Sequence, residues 1–444
     1  MSINYETDTI SAVATPFGTG AIGIIRMSGD KSFEICEKIF TKKLVPMKIM
    51  YGNIVDEGQM IDEVIVLPYK APTGYTGEDA VEIQCHGGVN IVKKILNLTY
   101  KYGARPAERG EFTKRAFLNG KMDLSKAEAV ADVIHAKTMK FAVKSAANLS
   151  GRLSEKISEI HKMLFDLYSK VIAAVYFPED VHEPEYSFLE ENLNKIIAEI
   201  NKVSAFSKSS DILRQGVKVA IAGKPNVGKS SLFNVLLNFE RAIVTDTAGT
   251  TRDAIREMLD IDGIPVTIID TAGLRNESEA DKIEKIGMDF TKKCIDESDA
   301  VLMLFDSQTG MTDVDKEIFK LAENKPCLKI ATKFDLSHKK YDGCLTISSA
   351  TGENIENLKE EIKNLVCSNL EEETEFITNE RQQNCLNRCL TACQNALDGV
   401  KRAELQDLIA IDIKTALLEL GEIRGEVVTD DVLNNIFEHF CIGK

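Results

Sequence analysis

The sequence predicts a chain of mixed α/β and purely α-helical parts, in which a domain with a mostly parallel sheet is inserted into a helical one. Three observations predict it. Residues 223 to 230 read Gly-Lys-Pro-Asn-Val-Gly-Lys-Ser, directly after the apolar run Val217–Ala222. Between about Gly216 and Cys367 short apolar runs alternate with helical stretches, the pattern of a parallel sheet covered on both faces. On either side the texture is helical, rich in Ala, Lys, Glu and Leu, from Leu124 to about Ser207 and again from about Leu370 to Phe440.

In order along the chain, residues 1–120 mix short β-like runs (Ile22–Met27, Glu63–Pro68, Ala80–Cys85) with Gly-rich turns and helical stretches, which predicts a compact α/β domain. Residues 121–214 read as long amphipathic helices, broken near Pro178 by the acid-rich segment Phe177–Tyr186. Residues 215–370 hold the inserted domain, with strands expected at Val217–Ala222, Val266–Ile269, Ala300–Phe305, Cys327–Ala331 and Cys344–Ile347. Residues 371–444 return to helix and complete the domain that the insertion interrupts.

Bulk properties narrow the class. With 444 residues, 44% hydrophobic and 28% charged, the chain has the composition of a globular protein with several cores. No apolar run reaches the ~18 residues that cross a bilayer, and the opening MSINYETDTI lacks the basic-then-apolar order of a signal peptide, so no membrane association and a cytoplasmic location are expected. A net charge of −15 argues against broad non-specific binding of nucleic acid, while leaving room for a local basic patch that docks RNA. The ten Cys include no Cys-x2-Cys pair, which leaves zinc and redox motifs without support. Cys385, Cys389 and Cys393 recur every four residues and read as a small apolar core stripe on one helix face.

The loop at 223–230 has the form Gly-x4-Gly-Lys-Ser between a strand and a helix. Backbone N–H groups and a helix N-terminus there can wrap a polyphosphate, which marks a nucleoside triphosphate site. Asn226, Val227, Gly228, Lys229, Ser230 and Ser231 are its candidate residues, with Lys229 for the β- and γ-phosphates and Ser230 for Mg²⁺. Two Asp-Thr-Ala-Gly segments compete for the next role. The second, Asp270, Thr271, Ala272 and Gly273, follows a strand-like run and so emerges where such sheets bind ligands. The first, Asp246, Thr247, Ala248 and Gly249, runs with Thr245, Thr250 and Thr251 as switch-loop sequence; Thr251, 21 residues after Ser230, is the second Mg²⁺ candidate.

Base choice rests on Thr332, Lys333 and Asp335, a variant of Asn-Lys-x-Asp. An Asp carboxylate accepts from both N1–H and the 2-amino group of guanine, a pair adenine lacks. Thr in place of Asn implies one supporting contact fewer. Ser349 and Ala350, after the next strand, are expected to support the base. Leu274 stands where small GTPases place a water-orienting Gln, so hydrolysis needs another source. Asn226 could help hold a monovalent cation, and Glu284 could orient water or simply be a solvated helix residue.

Beyond these motifs the chain resembles the MnmE (TrmE) family of bacterial-type tRNA modification GTPases over essentially its whole length. The resemblance is carried by residues 8–16 and 20–26, by Thr76-Gly77-Glu78-Asp79, by residues 82–88, by the block 110–124 and by the ending Phe440-Cys441-Ile442-Gly443-Lys444. It implies a homodimer built through N-terminal domains that bind 5-formyl- or 5,10-methylene-tetrahydrofolate, with contacts at Arg26, Glu82, Lys121 and Lys444. It further implies an FAD-dependent partner, MnmG (GidA), in a heterotetramer that installs an aminomethyl or carboxymethylaminomethyl group on C5 of the wobble uridine of certain tRNAs. Potassium is implied at Asn226, Thr245, Thr247 and Thr250, and Glu284 matches the family's hydrolytic glutamate.

The residues themselves partly agree. Residues 105–126 carry Arg105, Arg109, Lys114, Arg115, Lys121 and Lys126 against three acidic residues, which favours an anion site over a merely solvated surface. His86 reads as structural, and Cys441 as a free thiol more than as a nucleophile. An RNA-binding assembly switch that makes no chemical change is the competing reading, which a folate pocket in residues 1–123 would exclude.

Overall fold

The computed structural model describes residues 8–204, 207–239, 255–271, 280–367 and 378–444. The chain divides into two compact units. One comprises Met1–Ala131, Asn148–Ile197 and Arg388–Lys444; the other comprises Asp132–Ala147 and Ala198–Asn387.

The first unit begins with β1 (Ile10–Val13), β2 (Ile22–Ser28), α1 (Ser32–Ile39), β3 (Met50–Asp56), β4 (Gln59–Tyr69), β5 (Ala80–His86), α2 (Val89–Lys101), β6 (Arg105–Pro106), α3 (Glu111–Leu118) and α4 (Leu124–Ile134). Its sheet runs β3-β4-β5-β2-β1-β6, antiparallel except for the β1–β6 pair. Alternation sets which side each residue faces. Ile25 and Met27 of β2 and Val81, Ile83 and Cys85 of β5 share a core with Ile35 and Ile39 of α1 and Ile95 and Leu98 of α2. The intervening residues, Arg26 and Glu82 among them, therefore lie on the opposite face. Sequence reading found β2 and the middle of β4 and β5 but passed over β1, β3 and β6, which are short or sit at the sheet's edge beside polar residues.

The helical segment is more broken than its texture suggested: α5 (Met139–Ser150), α6 (Arg152–Tyr176), α7 (Tyr186–Ser204) and α8 (Ser207–Gln215) replace two long helices. The break expected near Pro178 is present between α6 and α7. The additional break between α5 and α6 falls at Gly151, which has φ +110°. Along α6, Leu153, Ile157, Ile160, Leu164, Leu167 and Val171 form one buried stripe.

The second unit continues with β7 (Val217–Gly223), α9 (Lys229–Phe239), β8 (Ile255–Ile261), β9 (Ile264–Asp270), α10 (Ala280–Glu297), β10 (Ala300–Asp306), α11 (Asp313–Leu321), β11 (Cys327–Thr332), α12 (Phe334–Ser337), β12 (Leu345–Thr346) and α13 (Ile355–Cys367). Its sheet runs β12-β11-β10-β7-β9-β8, parallel but for β8. The sequence reading missed β8. It pairs with β9 through Asp262 and Gly263, both at positive φ, the two-residue turn that antiparallel hairpins prefer. One apolar core packs Val219 and Ile221 with Leu232 of α9 and Leu358 and Ile362 of α13. A second packs Ala222, Val301 and Met303 with Ile295 of α10 and Ile318 of α11. Helices thus cover both faces, as alternation required. Each fully buried Leu or Ile contributes roughly 1.5–3 kcal/mol to holding the sheet rigid beneath its loops.

The chain ends with α14 (Glu380–Lys401), α15 (Gln406–Arg424) and α16 (Asp430–Glu438). Cys385, Cys389 and Cys393 of α14 are all fully buried, the core stripe their spacing predicts. In the first unit α15 packs along α6, and Leu433, Phe437 and Phe440 close a small core with Leu124, Ala127 and Val130 of α4. Among the described residues no helix is long and apolar enough to cross a membrane.

Candidate functional site

In the second unit β7 lies between β9 and β10, so connections leave it in both directions and a crevice opens at the strands' carboxyl ends. The loop from Gly223 to Gly228 fills that position and leads into α9, whose first residue is Lys229. Gly223 is required at the strand's end. It holds φ +152°, and a Cβ there would come within 2.4 Å of Leu304 O on β10. Asn226 and Gly228 also have positive φ, which turns the loop back over the helix N-terminus. Val227 is buried beneath it.

Lys229 is buried, and its Nζ donates to Gly223 O at 2.7 Å and Lys224 O at 2.8 Å. Burial pulls its pKa below the usual range, with the negative charge of Asp270 opposing. Ser230 Oγ donates to Asp270 Oδ2 at 3.3 Å, which joins the end of β9 to the loop. Thr271 Oγ1 donates to Ile221 O at 2.8 Å and pins the next residue to β7. Ser231 follows, exposed, in the first turn of α9.

The base-side residues assemble around β11. Thr332 Oγ1 lies 2.6 Å from Val227 O and 3.1 Å from Phe305 O, so the threonine that stands in the Asn position ties the phosphate loop to β10 and β11. Lys333, in the left-handed region, donates from Nζ to Asp306 Oδ2 at 2.7 Å. Burial raises the Asp306 pKa, but the Lys333 hydrogen bond, the Gln308 N–H and the nearby cations outweigh it and hold the carboxyl low. Asp335 Oδ1 accepts from Ser348 Oγ at 2.6 Å, which leaves Oδ2 for another donor. Lys333 and Asp335 are therefore not each other's partners. Ser349 and Ala350 follow in a turn, half-buried and exposed respectively. Sequence reasoning did not name Asp306 or assign a contact to Ser348, because each reaches its partner across the sheet.

Thr245, Asp246, Thr247, Ala248, Gly249, Thr250, Thr251, Ala272, Gly273 and Leu274 lie outside the described residues. Glu284 lies on α10, with its side chain outside them.

A second cluster lies on the open face of the first unit's sheet. Register places Arg26 beside Glu82, and Arg26 Nε donates to Glu82 Oε1 at 2.8 Å. The guanidinium sits 5.5 Å from the Tyr75 ring centre and 5.7 Å from that of Phe112. It also donates to Gly443 O at 3.2 Å. The chain's end is built into this domain: Ile442 bridges to Arg109, Phe112 N donates to Lys444 O at 3.2 Å, and Gly443 packs so tightly that a Cβ would lie 2.2 Å from Val13 O. Lys121 Nζ donates to Pro72 O at 2.9 Å, on the loop that carries Tyr75. Arg26, Glu82 and the Lys444 backbone are thus brought together, with Lys121 on the adjoining loop.

The anion-site reading of residues 105–126 needs correction at two positions. Arg105 and Arg115 pair with Asp8 and Glu111, and Arg115 also reaches Glu78 at 3.1 Å, so both cations already have carboxylate partners, Arg115 in the interior and Arg105 nearer the surface. Lys114 donates to Asn434 Oδ1, a neutral partner that leaves its charge in place. His86 Nδ1 lies 2.7 Å from Asp62 Oδ1.

The family model described as MnmE helical domain matches residues 124–441, and that described as GTP-binding protein TrmE N-terminus matches residues 9–121. A protein of Pseudothermotoga lettingae named tRNA modification GTPase MnmE is 41% identical over 451 residues, covering 98% of this chain and 100% of its own. One of the same name from Thermoanaerobacter pseudethanolicus is 42% identical over 460 residues, covering 98% and 99%. Among solved structures, the G domain of the T. maritima FeoB iron transporter aligns at 30% identity over 34% of this chain and 98% of its own, with a TM-score of 0.26.

Proposed function

The chain belongs to the MnmE family of tRNA modification GTPases, and from that premise we propose that its GTP hydrolysis depends on potassium and drives a folate-dependent modification of wobble uridine. Together with an FAD-dependent partner, MnmG, it adds an aminomethyl or carboxymethylaminomethyl group to C5 of that base in certain tRNAs. The observation that carries the reading is the convergence of Lys229, Ser230, Asp270 and Asp335 around one end of the parallel sheet.

Each residue has a chemical task. Lys229 and the N–H groups at the start of α9 hold the β- and γ-phosphates. The Ser230 hydroxyl and Asp270 carboxylate, 3.3 Å apart, are the hard oxygen donors that Mg²⁺ takes, with Thr251 completing the set. Mg²⁺, when bound, neutralises charge that builds on the phosphates. Asn226, exposed at a left-handed turn, can offer its amide oxygen to K⁺ beside Thr245, Thr247 and Thr250. Glu284 orients the attacking water, since Leu274 has no group to do so. Asp335, with one oxygen held by Ser348, accepts from guanine.

The cluster at Arg26, Glu82, Lys121 and Lys444 fits tetrahydrofolate. The exposed ring of Tyr75 supplies an aromatic face, Glu82 can accept from the pterin's amino groups, and the cations suit an acidic tail. Folate, when bound, supplies the one-carbon unit. The domains serving these tasks are 1–120 for folate and dimerisation, 121–214 with 371–444 as the helical domain, and 215–370 for GTP. A cytoplasmic homodimer that forms a heterotetramer with MnmG is the working form.

Nucleoside analysis of tRNA from cells lacking this chain tests the reading. Loss of the modified wobble uridine is expected, and fully modified tRNA would refute it. GTP turnover should be at least about tenfold faster in potassium than in sodium. Equal rates in the two salts would remove the cation role of Asn226.

A further inference from the structure

Lys224, the second residue of the phosphate loop, reaches with its side chain to the start of α11. Its Nζ lies 2.9 Å from Asp315 Oδ2 and 2.5 Å from Thr312 Oγ1. Both partners belong to the start of α11. Asp315 is 1% exposed and closes a capping box: its Oδ2 accepts from Thr312 N at 2.8 Å and from Thr312 Oγ1 at 2.7 Å. With the Asp315 N–H donating back to the Thr312 side chain, the cap is satisfied without the lysine. The lysine is a third donor on the same oxygen, while Asp315 Oδ1 is buried with no hydrogen-bond partner. A buried ion pair with one oxygen unsatisfied gives little net stability, so its physical effect is chiefly on position.

The position it fixes is that of the lysine that meets phosphate. Lys229 Nζ is held by two carbonyls, Gly223 O and Lys224 O. Gly223 is immobilised by its close approach to Leu304 O. Lys224 is anchored to α11 by its side chain. We infer that the Lys224–Asp315 pair is a positioning device for the nucleotide site, in which the N-terminus of α11 sets the phosphate loop and so the placement of Lys229. The inference rests on the assignment of this loop to GTP. It makes Lys224 and Asp315 determinants of nucleotide affinity although neither touches nucleotide.

The test is a double-mutant cycle in the full-length protein with GDP binding by calorimetry and steady-state GTP hydrolysis as readouts. Lys224→Met should weaken GDP binding about tenfold and raise KM for GTP by more than it lowers kcat. Lys224→Arg, which can still pair with the carboxylate, should recover most of the affinity. Asp315→Asn keeps an acceptor for the cap but removes the charge; it should weaken binding similarly, and the double variant should be no worse than the worse single one. Additive losses, or binding within about twofold of the parent in Lys224→Met, would overturn the tether. Lys229→Ala separates the two levels. Lost binding there together with normal binding in Lys224→Met sinks only the tether, whereas normal binding in Lys229→Ala sinks the site assignment and the tether with it.

Discussion

At the scale of single residues, two carboxylates show how surroundings set a role. Asp335 keeps one oxygen on Ser348 and presents the other. Asp335→Asn replaces an acceptor with an amide that also carries donors, facing a base edge made of donors. Preference for GTP over xanthosine triphosphate should fall by about 10²-fold or more in competition binding; an unchanged ratio would move the base site elsewhere. Glu111 illustrates the opposite use. Burial raises its pKa, but Arg105, the Glu108 N–H and Arg115 outweigh burial and lower it from the usual 4.5. A carboxyl with a lowered folded pKa stabilises the protein above its unfolded pKa and loses that contribution as pH falls through the folded value. Glu111→Gln should therefore cost about 2–3 kcal/mol near pH 7 in urea unfolding, and the gap from the parent should shrink below pH 4.5. A gap that is constant with pH would contradict this account. The pairing of Arg105 with Asp8 and Glu111 was hidden in the sequence, where one partner lies at the far end of the domain; a run of cations looks the same whether it meets solvent, ligand or buried acid.

Elements were legible where physics acts locally. Wrapping phosphate with backbone N–H groups demands contiguous residues, so the loop before α9 could be read directly, and the buried parallel strands announced themselves as apolar runs. β3 and β8 are edge strands with mixed residues, and only their turns, Glu57-Gly58 and Asp262-Gly263, hinted at them. The contacts Thr332 to Val227 and Lys333 to Asp306 depend on strand order, which composition does not encode. The chain's last segment is similar: its motif is visible, but its docking on β1 is not. Gly443 has φ +92° with Val13 O against the position a Cβ would take. Gly443→Ala should release the tail, and carboxypeptidase should then remove Lys444 at least about tenfold faster than in the parent. Equal digestion would show that the sheet tolerates a methyl group there.

For the whole molecule, the chain passes from one unit to the other within α4, α5, α7 and α14. If the triphosphate acts at the proposed GTP site as a conformational switch, these helices are the elements through which a change would pass. Complete switching needs a difference of roughly 5.5 kcal/mol between nucleotide states. Small-angle scattering in potassium should accordingly separate GDP from GDP with aluminium fluoride, and superimposable profiles would remove the mechanical coupling. The docked tail also imposes a timetable on biogenesis. The strand that receives Gly443 is synthesised before the second unit, and the residue it awaits only after that unit. At about 5–20 residues per second, that strand waits for roughly tens of seconds before the segment that packs against it exists, so the first unit is completed only after the second has been made.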